Sequence, residues 1–393
     1  MTETLITDAA AARKADVPIQ TRSGRPTSFE PGDHAAPSAR EKNWKLSDLQ
    51  RLAPLFIDTE AEAGDAGVIE CSVDAPAGVL VPSHGLHAPV RGEVFRPEDL
   101  PSAIAWKRSE DAMHLRLPAG TVLEQPVRVR LHGTDANRRA TAHIVIEAER
   151  DSHGTVVLEH TGSAQYAQNV EIIVREGAVL TVLSLQTWDD DAVHASAHQA
   201  VIGRRASLTH FVVSLGGAVV RVNPSVRLAG EGSHADLYGL SFADSGQHLE
   251  SQVYLFHEGA ATKGTVLYKS ALQGAKARTV WIGDVLIGPK AVGTDSYEAN
   301  RNLILTDGAR ADSVPNLEIE TGEIAGAGHA SATGRFDDEQ LFYLRSRGIS
   351  EKESRRLVVL GFLMEVVQKI TVDDVRARLI EAVEAELAVM EGH

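Results

Sequence analysis

Phe336-Asp337-Asp338-Glu339-Gln340-Leu341-Phe342-Tyr343-Leu344-Arg345-Ser346-Arg347-Gly348-Ile349 is the stretch across which the chain changes its period. Before it, apolar residues alternate as they do in strands; after it, they return every three or four positions as they do in helices. Asp337 reads as an N-cap, with Gln340 three residues on to close a capping box. Gly348 stands where a helix ends on a residue that tolerates positive φ. Ser350-Glu351-Lys352-Glu353 is a second capping box, which opens a longer helix. Two short helices joined by a glycine turn have no core of their own, so the stretch is expected to dock against something else.

Working upstream, residues 68–335 carry a β texture. Val127–Leu131, His143–Glu147, Thr155–Leu158 and Val170–Val174 are short, β-branched and bounded by Gly, Asp or Asn. From Glu176 a weak recurrence sets in: a glycine turn, a small residue and then a strand, at Gly177, Gly203, Gly232, Gly274 and Gly308. A solenoid needs such recurring corners. The spacings of 26, 29, 42 and 34 are uneven, however, and the pattern alone leaves a β-helix and a β-sandwich both open.

Downstream, Leu357, Leu360, Met364 and Val367 are placed on one face of the second helix. Thr371-Val-Asp-Asp374 opens a third, with Val375, Leu379, Val383 and Leu387 in register. The bland reading is a helical cap on a β body. At the other terminus, residues 1–42 are polar and broken by Pro18, Pro26, Pro31 and Pro37. Met1–Lys14 could form a loose helix, and Thr21–Ala39 reads as mobile. Residues 43–67 contain a helical spacing from Trp44 to Phe56, with Ser47 as a candidate cap. Four regions result: a flexible 1–42, a helical 43–67, a β core over 68–335 and a helical 336–393.

Composition excludes several functions. The 393 residues are 43% hydrophobic but 5% aromatic, so a large core must be built from Val, Leu, Ile and Ala. A net charge of −15 without basic clusters argues against nucleic acid. No apolar stretch is long enough to span a bilayer, and Met1–Asp16 lacks the charged-then-apolar order of a secretory signal; a cytoplasmic location is expected. Cys71 is the single cysteine. It precludes an internal disulfide or an all-cysteine cluster site, and it reads as a small buried hydrophobe.

Short catalytic motifs fare poorly. Gly259–Gly264 has phosphate-loop spacing, but Thr265 stands where the lysine belongs. His194 and His198, after Asp189-Asp190-Asp191, could mimic a metal group; Ala195 replaces the glutamate of a helical zinc motif, and solvated loop or edge residues are the simpler reading. No Gly-x-Ser-x-Gly elbow is present. A solenoid enzyme acting on a glycan or acyl donor would have to recruit His210, Asp236 and Glu250, with few aromatics to stack a sugar. His329, in Gly326-Ala-Gly-His-Ala-Ser, is a lone histidine of the sort that is usually structural, yet its small neighbours leave it open to a facing chain.

Asp338 to Ser350, together with Asn300-Arg-Asn-Leu-Ile-Leu305, Pro315-Asn-Leu-Glu-Ile319 and the run His329–Gly334, resembles the C-terminal signature of the SufB/SufD family of iron–sulfur cluster assembly proteins. The match is close over about residues 300–370 and diffuse before that, with Asn43-Trp44-Lys45 resembling an early family motif. The resemblance implies a right-handed parallel β-helix with a short N-terminal helical segment and a C-terminal helical domain. It also implies a non-catalytic, SufD-like scaffold subunit paired with a SufB-like paralogue and a SufC-like ABC ATPase. In this reading Asn302, Pro315, Leu317 and Ile319 belong to the subunit interface. Asp338, Glu339, Gln340, Leu341, Phe342, Tyr343, Leu344, Arg347, Gly348 and Ile349 dock the ATPase. His329 becomes a ligand for iron or a nascent cluster shared with SufB, whose partner must bring thiolates; reduced flavin could serve the complex as reductant. Ala327 departs from the pattern, since many relatives carry Cys there, and no cysteine lies near Asn300. Sulfur acceptance therefore falls to the partner. A self-dimer acting with the ATPase alone is the alternative assembly.

Overall fold

The computed structural model describes residues 22–59, 67–85, 87–109, 111–336 and 338–389. The helix expected over Met1–Lys14, the cap at Asp337, and the side chains of Asp338, Glu339 and Gln340 lie outside the described residues.

The strands are β1 (Ile69–Asp74), β2 (Ser83–Gly85), β3 (Asp111–Leu117), β4 (Val127–Ala148), β5 (His153–Val174), β6 (Val179–Trp188), β7 (Val193–Ile202), β8 (Ser207–Ser214), β9 (Val219–Leu228) and β10 (His234–Ala243). They continue as β11 (His248–His257), β12 (Lys263–Leu272), β13 (Arg278–Ile287), β14 (Asp295–Ile304), β15 (Arg310–Ile319) and β16 (Gly326–Arg335). Among β3 to β16 every pairing of two of these strands is parallel, and only β1 and β2 add antiparallel pairs, to β4 and β3; this rules out the sandwich, an architecture of antiparallel sheets. The chain is a parallel β-helix of about eight coils. The long β5 starts both stacks, its residues 153–162 lying beside β6 and residues 165–174 beside β7. Even-numbered strands from β6 to β16 form one sheet, and odd-numbered strands from β7 to β15 form the other.

The uneven glycine spacing has a geometric cause. At the corner leading into the first sheet, left-handed backbone recurs at Asp151, Gly177, Arg205, Gly232, Ala261 and Gly293, at spacings of 26, 28, 27, 29 and 32 residues. Each of these N–H groups donates to a carbonyl of the next coil: Gly177 to Arg204, Arg205 to Glu231, Gly232 to Ala260, Ala261 to Val292. Gly274 and Gly308 belong to the opposite corner, so the spacing of 42 marks a change of corner within a regular solenoid. Non-glycine residues at three corner positions hid the repeat, because L-residues seldom adopt positive φ.

β1 runs antiparallel to the first half of β4 and closes that end of the first sheet. At the other end β15 and β16 each have a neighbour on one side only. Inside, Val, Leu, Ile and Ala from both sheets form a continuous core, as low aromatic content requires.

Both outer faces are covered. On the second sheet lie residues 22–59, with α1 (Leu49–Leu52), and α2 (Leu100–Arg108). Asp48, not Ser47, caps α1, accepting from the Arg51 N–H at 3.1 Å. The Ser47 hydroxyl donates instead to Glu250 at 2.9 Å. On the first sheet lie α4 (Glu351–Val367) and α5 (Asp373–Val389), preceded by α3 (Asp338–Ser346). Val359, Leu363, Val366, Val367, Val375, Leu379, Val383 and Leu387 pack against Leu183, Phe211, Val213, Leu240 and Phe242. The helices thus lie along the sheet and do not cap the solenoid end. The inward stripe of α4 is rotated from the expected one: Leu357 is exposed and Val359 and Leu363 are buried. Ser350 caps α4 as expected, accepting from the Glu353 N–H, and Gly348 has φ +86°.

Candidate functional site

The open end of the solenoid is built by β14, β15 and β16. Side chains alternate, so Ser296, Glu298, Asn300 and Asn302 of β14 turn inward, and β16 stacks Ala327, His329, Ser331 and Thr333 directly on them. His329 sits on the last strand with its side chain 45% exposed, and its Nδ1 lies 3.7 Å from Glu298 Oε1. Glu298 is buried, and among the described residues neither of its oxygens has a hydrogen-bond partner. Burial, and then the charge of Asp284, pushes its carboxyl up to about 8. Gly283 of β13 makes the room: a Cβ there would come 2.4 Å from Glu298 Oε2. Among the described residues, no three His, Cys, Asp or Glu side chains converge as a metal-binding group.

Of the expected interface residues, Asn302 lies one strand in from the edge and is buried. Its amide donates to Asn300 Oδ1 at 2.8 Å, Ser313 Oγ at 2.9 Å and Thr333 Oγ1 at 3.1 Å, tying the last three strands together from inside. Pro315 and Leu317 are half-buried on β15, and Ile319 at its tip is exposed. On α3, Leu341 is buried while Phe342 and Tyr343 are 75% and 56% exposed. Arg347 places its guanidinium 4.9 Å from the Tyr343 ring centroid. Leu344 and Ile349 are half-buried and Gly348 is exposed. This is an exposed aromatic surface on the helix that follows the last strand, of the kind that a partner covers.

Other expectations are corrected. His194 and His198 are buried on the lumen side of β7, not solvated. His198 lies 2.9 Å from His210 across the lumen, and His160 bonds to Gln168 and the Leu185 carbonyl. Burial holds His160 and His210 down to about 4, and His194 and His198 well below their usual range. Cys71 is exposed on β1, not buried. His210 in the lumen, Asp236 beside His234 and Glu250 under the N-terminal segment do not converge on a groove. Gly259–Gly264 is a turn that runs directly into β12 without a following helix, and Lys269 points at the Phe362 carbonyl and Glu365. Glu298 went unnoticed, although alternation from Asn302 and its place 31 residues before His329 put it on the same inward face.

Residues 131–362 match the family described as SUF system FeS cluster assembly, SufBD core domain. An iron–sulfur cluster assembly SufBD family protein of Mycobacterium leprae is 47% identical over 371 residues, covering 93% of this chain and 94% of the relative. The iron–sulfur cluster assembly protein SufD of Escherichia coli is 26% identical over 386 residues, 88% of each chain. The assembly protein SufB of Bacillus subtilis is 27% identical over 253 residues, 63% of this chain and 54% of the relative. The chain belongs to the SufBD family of iron–sulfur cluster assembly proteins.

Proposed function

We propose that the protein is the SufD-type scaffold subunit of a SufBCD assembly complex, pairing at its open solenoid end with a cysteine-bearing SufB-type chain. The observation that carries this is the pair of strand edges on β15 and β16, which leave backbone donors and acceptors unpaired beside His329. Full-length similarity to SufD against partial similarity to SufB favours the SufD side, as does the absence of any cysteine but Cys71. His329 would hold iron or a nascent cluster, and thiolates for sulfur would come from the partner. The SufC-type ATPase would dock on Phe342, Tyr343 and the Arg347 end of α3. ATP-driven pairing of two ATPase subunits would then shift the scaffold interface as a coupled two-state switch. No catalytic role is assigned to this chain, and a cytoplasmic location goes with this reading. Among the described residues no helix is long and apolar enough to cross a membrane.

Co-purification with both partners tests the assignment. Ile319→Lys at the β15 edge should lose the SufB-type chain and keep the ATPase. Retention of both partners by this variant would remove the edge-pairing assignment.

A further inference from the structure

We propose that Glu298 is a second protein ligand, acting with His329, for a divalent iron ion delivered to the open end of the solenoid. The inference rests on the scaffold reading for its cargo but not for its geometry. A buried carboxylate normally recruits hydrogen-bond donors, yet both Glu298 oxygens lack them among the described residues. One oxygen instead faces the His329 ring at 3.7 Å, too long for a hydrogen bond. That separation suits a bridging cation. With metal–nitrogen and metal–oxygen bonds of about 2.1 Å, the N–metal–O angle would be about 120°, within reach of tetrahedral or trigonal coordination.

Gly283 supports the same reading. Without a Cβ, Gly283 leaves room for the Glu298 carboxylate and for the Trp281 ring, each of which a Cβ would approach to 2.4 Å. An imidazole nitrogen with a carboxylate oxygen suits divalent iron better than a soft monovalent ion. The remaining coordination positions face outward, where His329 is exposed and where a facing chain would supply its own donors.

The test is anaerobic titration of the full chain alone with Fe(II), and with Co(II) as a visible-absorption probe. Groups that only hydrogen-bond to a metal's ligands change its affinity about 10- to 100-fold, so a ligand should matter at least as much. Wild type should bind one ion, Glu298→Gln and His329→Ala should each bind at least about tenfold more weakly, and Gly283→Ala should weaken binding by crowding the carboxylate. The Glu298→Gln variant should keep its unfolding midpoint and its co-purification with the partners, which separates ligation from folding and assembly. Equal affinity in wild type and Glu298→Gln, or no stoichiometric binding by wild type, overturns the proposal. Glu298-dependent binding by a chain that captures neither partner would sustain the metal site and sink the scaffold reading.

Discussion

Removing Arg221 should release the N-terminal segment from the solenoid. Arg221 is 2% exposed; its guanidinium lies 3.1 Å from Glu250 and 3.0 Å from Asp99 and stacks 3.9 Å from the Trp44 ring centroid. Arg221→Leu takes the shared cation from Glu250 and Asp99, which keep only their hydrogen bonds to Ser47, His248, Gln252 and Ser102, and breaking one side of a buried ion pair costs about 3–5 kcal/mol. The pH dependence gives an independent measure. Burial raises the Glu250 carboxyl, but the His248 hydrogen bond, the charges of Arg221 and His248, and the Ser47 bond outweigh it and bring it down to about 2. With an unfolded value of about 4.3, that shift corresponds to about 3 kcal/mol. This stability is present above the unfolded value and is lost as pH falls through 2. Urea unfolding at pH 7.5 and in a series down to about pH 2, with hydrogen exchange over residues 43–56 at pH 7.5, reads both effects. Arg221→Leu should lose about 3–5 kcal/mol, or open that segment ahead of the β core. A loss under about 1 kcal/mol with protection around Trp44 unchanged would refute the clamp.

Three further outcomes are expected. Because burial holds His160 and His210 down to about 4, they stay neutral while the unfolded chain takes up protons below about 6.5; stability should fall between pH 6.5 and 4, and His210→Gln should flatten that slope in a series of urea midpoints. Ala261 has φ +55° at a solenoid corner, so Ala261→Gly should raise stability by up to about 1 kcal/mol, measured by the same unfolding. The double change Phe342→Asp and Tyr343→Asp touches exposed rings, so it should shift stability by about 0.5 kcal/mol or less and abolish ATPase co-purification while the SufB-type chain is retained.

The C-terminal helices were legible because capping chemistry is local: Ser350 and Gly348 act where their residue types place them. The inward face of α4 was not, since Leu357 and Val359 lie about 200° apart on the helix, each heads an apolar stripe, and only the sheet beneath selects Val359. The solenoid period was obscured by Asp151, Arg205 and Ala261, whose left-handed backbone carries no compositional mark. His194 and His198 look like edge residues beside three aspartates, yet strand alternation turns them into the lumen, where neighbouring polar groups make them tolerable. His329 was found through its surroundings, whereas Glu298 required knowing that β16 lies directly on β14.

The most direct measurement is the intact mass of the complex recovered when this chain is co-expressed with a SufB-type paralogue and a SufC-type ATPase. A SufD-type scaffold with an open solenoid end should be recovered as one copy with one paralogue and two ATPase subunits. Recovery of the chain alone, or as a self-dimer that excludes the paralogue, would contradict the pairing of β15 and β16 with a SufB-type partner.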